Sequence, residues 1–149
     1  MRAAGRDVDM SRPVIALLRA EGRVGRAFER TLAASGLTEP QFNVLMELAA
    51  NDGRLPQCEL ARGLLRSPAN ITALIDRMER DGLVRRIRGE RDRRTVLSEI
   101  TEQGWEALDA ATPAVFGVER QILSDLSAAD RAQLATLLDR VAAEPVQRD

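Results

Sequence analysis

The chain of 149 residues contains no histidine, no tyrosine and no lysine, so arginine supplies all 22 of its basic side chains. Without histidine it cannot form a Ser-His-Asp triad, a Cys-His nucleophile pair or an imidazole zinc site. Without lysine it cannot form a Schiff base or the lysine contact of a phosphate-binding loop. Acid–base chemistry by carboxylates alone stays open, but no pair of acids stands in an apolar sequence context. We therefore expect no enzymatic activity and no cofactor.

Cysteine is almost absent as well, because Cys58 is the only one and cannot form an intramolecular disulfide. The first residues lack the apolar core of a signal peptide, and no stretch approaches the roughly 20 apolar residues that cross a bilayer. These features predict a soluble cytoplasmic protein that does not act in a membrane. A thiol near a helix start could serve as a redox switch. We expect Cys58 instead to be a small, half-buried filler.

Glycine and proline are also few, with 10 and 6 residues, while hydrophobic residues make up 44% of the chain and charged residues 30%. These fractions lie near the averages of globular proteins, so they exclude a collagen-like or disordered chain. A length of 149 residues suits one domain with a core of its own. We expect a single domain over residues 1–149.

The net charge of −1 conceals an uneven distribution of the basic residues along the chain. Residues 1–53 are neutral, residues 54–94 carry eleven arginines against six acids, and residues 95–149 carry four arginines against ten acids. An ordinary solvated surface would mix the two signs more evenly. A positive central third of this kind suits a polyanion such as nucleic acid.

Apolar residues recur at helical spacing near both ends of the chain. Ser11 and Pro13 predict the start of a long first helix over about 12–34, and Pro113 is expected to interrupt a helix near the other end. Long helices of this kind are natural dimer-forming elements. We expect the helices of the two ends to pack together, with a second copy of the chain or another protein as the partner.

Three further helix starts carry local capping signals. Thr38 and Gln41 have the spacing of a capping box, and so do Ser127 and Asp130. Thr101 stands where it can cap a helix that follows an alternating, strand-like segment. These signals predict helices that begin directly after Thr38, Thr101 and Ser127.

The basic centre has the pattern of a helix-turn-helix. The pattern predicts a short helix from Pro56, a break near Leu65 and Arg66, and a second helix over residues 67–81 with Gly82 just past its end. Any two-helix corner of an all-α core has a similar pattern. Two strand-like segments then follow and enclose an arginine-rich stretch. They predict a β-hairpin, or wing, beside the second helix, which gives the protein one probe for each groove of a duplex.

Six segments and one single residue stand in an order and spacing that carry a family resemblance: Leu37-Thr38-Glu39-Pro40-Gln41-Phe42, Glu59-Leu60-Ala61, Ser67-Pro68, Leu74 to Arg86, Asp92-Arg93-Arg94, Leu97, and Ile100-Thr101-Glu102-Gln103-Gly104. In these segments the sequence resembles the MarR (multiple antibiotic resistance regulator) family of winged helix-turn-helix proteins. The resemblance covers about residues 12–142.

The resemblance implies a mainly α fold with a small β-wing, an α+β chain in which residues 37–104 form a winged helix-turn-helix lobe. It also implies that residues 11–35 and 105–144 form a helical dimerisation region. The implied function is that of a homodimeric repressor of transcription, which binds a pseudo-palindromic double-stranded DNA operator. A small anionic aromatic effector or thiol oxidation would release it. The alternative is a protein-interaction or ligand-sequestering module that keeps the winged fold.

The turn of the motif departs from the family pattern, which has glycine and then an aliphatic residue where this chain has Leu65 and Arg66. This difference leaves the turn geometry open. Arg66 could contact a phosphate, or Leu65 could take over the core position through a shifted register.

The outward face of the second helix and its border hold the candidate contacts to DNA, which are Ser67, Ala69, Asn70, Thr72, Ala73 and Arg77. Asn70 can pair with adenine and Arg77 with guanine or phosphate, while the two alanines allow close approach. The helix start at Ser67 offers free amides to a phosphate. Asp76 is unfavourable against DNA unless it is neutralised, for which Arg80 is expected. Plain solvent exposure is the alternative for each of these side chains.

The wing supplies the remaining candidates. Four arginines are expected to contact phosphates, which raises affinity without reading sequence, although one of them could be merely solvated: Arg86, Arg88, Arg91 and Arg93. The family resemblance implies that Arg94 enters the minor groove and that Asp92 orients its guanidinium. A guanidinium suits the negative potential of a narrow minor groove.

Overall fold

The computed structural model describes residues 8–89 and 95–143, with side chains from residue 11 onward. Within these ranges the chain forms a small antiparallel sheet of three strands, β1 (Arg54–Pro56), β2 (Val84–Arg88) and β3 (Val96–Ile100). Its helices are α1 (Val8–Leu32), α2 (Glu39–Ala49), α3 (Gln57–Gly63), α4 (Pro68–Arg80), α5 (Glu102–Ile122) and α6 (Ala128–Ala143). The predicted mainly α fold with a β-wing is confirmed. None of the described helices combines the length and the apolar character that crossing a membrane requires.

The predicted helix caps are present. At the start of α2, the Gln41 amide donates to Thr38 Oγ1 at 3.4 Å, and the Thr38 amide donates to Gln41 Oε1 at 2.9 Å. The Gly104 amide donates to Thr101 Oγ1 at 3.0 Å and begins α5 in the same way. The hydroxyl of Thr101 also donates to the Gly82 carbonyl at 2.6 Å, so one side chain fastens α5 to the end of α4.

The two expected effects of proline are wrong. Helix α1 already includes Val8, three residues before Ser11, so Pro13 lies inside the helix instead of in its first turn. Helix α5 likewise runs without interruption from Glu102 to Ile122 through Pro113. A proline removes its own backbone N–H and crowds the carbonyl four residues earlier. The continuous helices on both sides show that the other backbone hydrogen bonds tolerate this local loss.

The wing is built on strand β3, which lies between the other two strands in the order β1-β3-β2. Strands β2 and β3 pair with Val84 opposite Ile100 and Arg88 opposite Val96, as the predicted hairpin requires. The Gly89 amide extends this pairing with a 2.9 Å bond to the Thr95 carbonyl. Strand β1 is not predicted by the sequence. It pairs with β3 and so attaches the segment between α2 and α3 to the wing.

One hydrophobic core joins these elements. Most of its buried side chains lie between Leu37 and Ile100, and the remaining members are Leu32, Leu108, Ala111 and Val115. Helix α1 packs against α5, as expected for helices from the two ends of the chain. Helix α6 does not pack against the other terminal helices as expected, because every residue from Ala128 to Ala143 is exposed. The last helix therefore projects from the core instead of completing it.

Candidate nucleic-acid interface

The turn between α3 and α4 has a left-handed residue. Leu65 has a φ of 50° and a side chain that is 72% exposed, so it does not take a core position through a shifted register. The neighbouring Leu64 packs against the core instead. The Arg66 amide donates to the Ala61 carbonyl at 2.9 Å, which closes the turn and starts the chain toward α4. Leu65 and Arg66 both remain on the surface beside the start of α4.

Helix α4 buries one face and exposes the other. Its buried side chains are Ile71, Leu74, Ile75 and Met78, as the apolar spacing predicts. The six candidate contacts are all exposed, and they are Ser67, Ala69, Asn70, Thr72, Ala73 and Arg77. Ser67 caps the helix by accepting a hydrogen bond from the Asn70 amide at 3.3 Å. An exposed helix face with small side chains near its amino end can approach the floor of a major groove closely.

The structure places Arg86 differently from the expected phosphate contact. From β2 its side chain extends back to α4, where Nη2 lies 2.5 Å from Asp76 Oδ1 and Nη1 pairs with Glu79 Oε2. The Arg86 backbone amide also donates to Glu79 Oε1 at 3.1 Å. The hydrogen bond with Asp76 is the main cause that raises the pKa of the Arg86 guanidinium, against the opposing effect of partial burial. Arg86 is thus bound to two acids of the helix rather than extended toward solvent.

The partner expected for Asp76 is therefore wrong. Arg80 lies four residues along the same helix, but its Nε donates to the backbone carbonyl of Asp76 at 3.3 Å. The carboxylate of Asp76 instead pairs with Arg86, which sequence spacing within one helix could not reveal. The sequence does hold one signal for the pairing with Arg86, which is the pair of acids Asp76 and Glu79. Both lie on the side of α4 that faces β2.

The other wing residues divide into paired, exposed and undescribed ones. Arg85 pairs across the hairpin with Glu99, with Nε and Oε2 2.6 Å apart, and Arg88 is exposed at the end of β2. Four predicted contacts lie outside the described residues: Arg91, Asp92, Arg93 and Arg94. Their assignment to the grooves of DNA stays a prediction.

Cys58 is exposed near the start of α3, so the half-buried filler role expected for it is wrong. It lines a shallow recess between α3 and the wing, together with Gln57, Thr72 and Arg86. Among the described residues, no group of three or more acids and cysteines is arranged to hold a metal ion. A second recess lies between α1 and α5, where Arg23 and Arg30 flank Val118 and Ile122.

Comparisons with known proteins agree with this architecture. The model of the MarR family matches residues 37–96. The chain is 31% identical over 117 residues to the HTH-type transcriptional repressor YetL of Bacillus subtilis (strain 168), covering 78% of this chain and 70% of YetL. Two solved structures, each 26% identical to the chain, share its fold. AbsC, a MarR family transcriptional regulator from Streptomyces coelicolor, has a TM-score of 0.82 and covers 95% of this chain and 96% of its own. CouR from Rhodococcus jostii RHA1, bound to p-coumaroyl-CoA, has a TM-score of 0.81 and covers 99% of this chain and 100% of its own.

Proposed function

Because the chain belongs to the MarR family of transcriptional regulators, we propose that it binds double-stranded DNA as a homodimer and represses transcription from a pseudo-palindromic operator. The observation that carries the proposal is the exposed face of α4, which stands beside a β-wing at the most basic part of the chain. A helix of this kind fits the major groove while a wing contacts the neighbouring groove. Such a protein acts in the cytoplasm on DNA and has no catalytic role.

Helix α4 is the proposed reader of base sequence. Asn70 presents an amide that can form two hydrogen bonds with adenine, and Arg77 presents a guanidinium that suits guanine or a phosphate. Ala69 and Ala73 leave room for the helix to lie deep in the groove or to touch a thymine methyl group. Pro68 has no amide N–H and the Asn70 amide donates to Ser67 Oγ, so the Ala69 amide is the proposed donor to a phosphate at the positive end of the helix dipole. Thr72 adds a hydroxyl at the edge that faces the wing.

The wing is the proposed source of backbone contacts and of one minor-groove contact. Arg88 is exposed at the end of β2 and is free to approach a phosphate, and Arg93 is assigned the same role. Arg94 is the proposed minor-groove residue, with Asp92 orienting it by a charge-assisted hydrogen bond. These assignments rest on the sequence pattern and on the family.

The two ends of the chain are the proposed dimerisation region, residues 11–35 and 105–144, while residues 37–104 form the DNA-binding lobe. Both terminal helices expose apolar side chains to 39–64% of their surface, and these are Val14, Ile15, Leu17, Leu18, Leu134, Leu137, Leu138 and Val141. A second copy would cover them. Two lobes related in this way would contact half-sites about one helical turn apart, roughly 34 Å.

A small anionic aromatic effector is the proposed signal that releases the DNA. CouR, which shares the fold, is bound to p-coumaroyl-CoA in its solved structure. In this chain the recess between α1 and α5 has the matching chemistry, because Val118 and Ile122 can contact a ring while Arg23 and Arg30 can bind an acid group.

The proposal is tested by a fluorescence-anisotropy titration of the purified protein against duplexes from its own upstream region and a scrambled duplex, over a series of salt concentrations. We expect a preference of roughly a thousandfold or more for one duplex and a steep loss of affinity with salt. Arg94→Ala should weaken binding strongly. Arg62→Ala, which removes an exposed arginine of α3 that is not among the proposed contacts, serves as the matched control. Absence of binding at low salt would overturn the proposal and favour a protein-interaction module.

A further inference from the structure

The side chain of Arg86 connects the recognition helix to the wing. We propose that it is a positioning residue for DNA binding, which holds α4 and β2 at a fixed spacing and partly offsets the charge of two acids of α4 without itself contacting DNA. This inference rests on the proposed function, since it assigns a role within DNA binding. It also replaces the phosphate contact that the sequence suggests for this residue.

Four of the five N–H groups of the Arg86 guanidinium have partners among the described residues. Nη1 pairs with Glu79, Nη2 lies 2.5 Å from Asp76 Oδ1, and the backbone amide donates to Glu79. With the Gln57 amide turned so that its nitrogen faces Thr72, its oxygen accepts from Arg86 Nε at 3.1 Å and from Nη2 at 3.2 Å. Only 28% of the Arg86 side chain is exposed. A phosphate contact through any N–H group other than the second one on Nη1 would have to break one of these charge-assisted bonds, which are stronger than neutral ones.

The same bonds join the three elements of the proposed DNA-binding surface. Gln57 begins α3, Asp76 and Glu79 belong to α4, and Arg86 belongs to β2. The Gln57 amide nitrogen donates to Thr72 Oγ1 at 3.3 Å, and that hydroxyl donates to the Pro68 carbonyl at 3.0 Å. The network therefore reaches from the wing to the amino end of α4. Because a planar guanidinium fixes the directions of its bonds, it holds these elements at a defined distance and angle.

The two acids give the network an electrostatic role as well. The side chains of Asp76 and Glu79 remain 53% and 39% exposed, on a helix proposed to lie in a groove between two rows of phosphates. Uncompensated carboxylates there would repel the DNA. The guanidinium of Arg86 pairs with both of them, and its single positive charge offsets one of the two negative charges. An arginine can therefore promote DNA binding from inside the protein.

A double-mutant cycle distinguishes this role from a phosphate contact. The probe is a duplex that the wild-type protein selects from a library of random-sequence duplexes, and the Arg86→Gln change is made in two backgrounds. In the wild-type background we expect affinity to fall by about tenfold or more, a coupling typical of contacting charged groups. In the Asp76→Asn, Glu79→Gln background the same change should cost less than about threefold, because no carboxylates remain to be neutralised.

Arg88→Gln is the matched control, because this exposed arginine lies two residues along the same strand. It should weaken binding equally in both backgrounds and lower the slope of log affinity against log salt by about 0.9, as the loss of one phosphate contact does. Thermal unfolding of each variant monitors folding. If Arg86→Gln does not fold in the wild-type background, the test uses the neutralised background, which is the Asp76→Asn, Glu79→Gln protein. Its affinity with and without Arg86→Gln still shows whether Arg86 contacts a phosphate.

The outcomes separate the two proposals. An equal loss of affinity for Arg86→Gln in both backgrounds, with a lower salt slope, would show that Arg86 contacts phosphate and would overturn this inference alone. A wild-type protein that selects no preferred duplex would overturn the proposed function and this inference with it. A smaller loss for Arg86→Gln in the neutralised background than in the wild-type background supports the positioning role, because a side chain that contacts phosphate would lose the same affinity in both.

Discussion

The winged lobe and the terminal helices differ in how far they bury their apolar side chains. In the lobe, side chains such as Leu45, Leu60 and Ile75 have no exposed surface at all. In α6, by contrast, Leu137 is 47% exposed and Val141 is 64% exposed. The lobe thus buries its apolar residues within one chain, whereas α6 presents them to solvent.

This difference indicates a division of labour within one short sequence. A lobe that is closed on itself can hold α4 and the wing in a fixed geometry, which groove recognition requires. Exposed apolar faces at the ends need a partner, because a contiguous apolar patch on a soluble protein marks an interaction surface. We therefore expect substitutions in the lobe to change folding stability and substitutions in α6 to change assembly.

The largest expected effect is in the lobe, at the junction of the wing and α5. A Cβ atom at Gly104 would lie 2.1 Å from the Leu83 carbonyl oxygen and 2.8 Å from Ile100 Cγ2. Gly104→Ala should therefore cost about 3 kcal/mol of unfolding free energy, measured by denaturant titration. Gly117→Ala in the same helix is the control, because nothing lies within 4 Å of its added Cβ. Helix propensity should make that change stabilising by about 0.5–1 kcal/mol. Equal effects of the two changes would contradict the close packing.

The next effect belongs to α6. Leu138→Glu places a charge in the proposed apolar interface, and the dimer should weaken by roughly 2 kcal/mol, about thirtyfold, while the lobe keeps its fold. Sedimentation velocity over a concentration series measures this change. Gln133→Glu adds the same charge at a polar position of the helix and should leave the dimer intact. Unchanged association of Leu138→Glu would place the interface elsewhere.

A smaller effect is expected at the turn of the helix-turn-helix. Leu65 has a positive φ of 50° and is 72% exposed, so its side chain gains little from burial. The left-handed conformation costs a non-glycine residue roughly 1–2 kcal/mol. Glycine avoids this cost but loses about 0.5–1 kcal/mol more backbone entropy when the chain folds. Leu65→Gly should thus stabilise the lobe by about 0.5–1 kcal/mol in thermal unfolding. Leu64→Gly, which removes a side chain packed on the core, should destabilise it. A loss of stability in Leu65→Gly would contradict the cost assigned to the left-handed conformation of Leu65.

The smallest effect concerns a hydroxyl in the central strand of the wing. Ser98 is completely buried, and its Oγ has no hydrogen-bond partner among the described residues. Ser98→Ala should leave stability within about 0.5 kcal/mol of the wild type, on the stabilising side, because it removes an unsatisfied polar group. Thr101→Val, whose hydroxyl makes two hydrogen bonds, should cost about 1 kcal/mol. A clear loss of stability in Ser98→Ala would indicate that the Ser98 hydroxyl makes a hydrogen bond.

The parts of the fold that local chemistry decides could be predicted from the sequence. The box of Thr38 and Gln41, the cap at Ser67 and the left-handed Gly82 each depend on residues within one turn of a helix. The apolar spacing of α4 also predicted its buried face, and hence which side chains are left to contact DNA. These signals suffice for the helix-turn-helix and the hairpin.

The parts that depend on distant pairing could not be predicted. Strand β1 has only three residues and ends in Pro56, so it carries no alternating pattern, and β3 alone makes it a strand. The partner of Asp76 depends on the register of β2, which brings Arg86 to α4 from ten residues along the chain. The exposure of α6 is likewise a property of how the elements pack.

The central claim is that two closed lobes, joined through the terminal helices, read one DNA site together. The most direct test is to insert about five base pairs, half a helical turn, between the half-sites of a duplex selected by the wild-type protein. The account predicts that affinity falls by about tenfold or more, since the rigid pair of lobes can no longer reach both half-sites, and that about ten inserted base pairs cost less than five. Unchanged affinity after the half-turn insertion would contradict it, because each lobe would then bind alone.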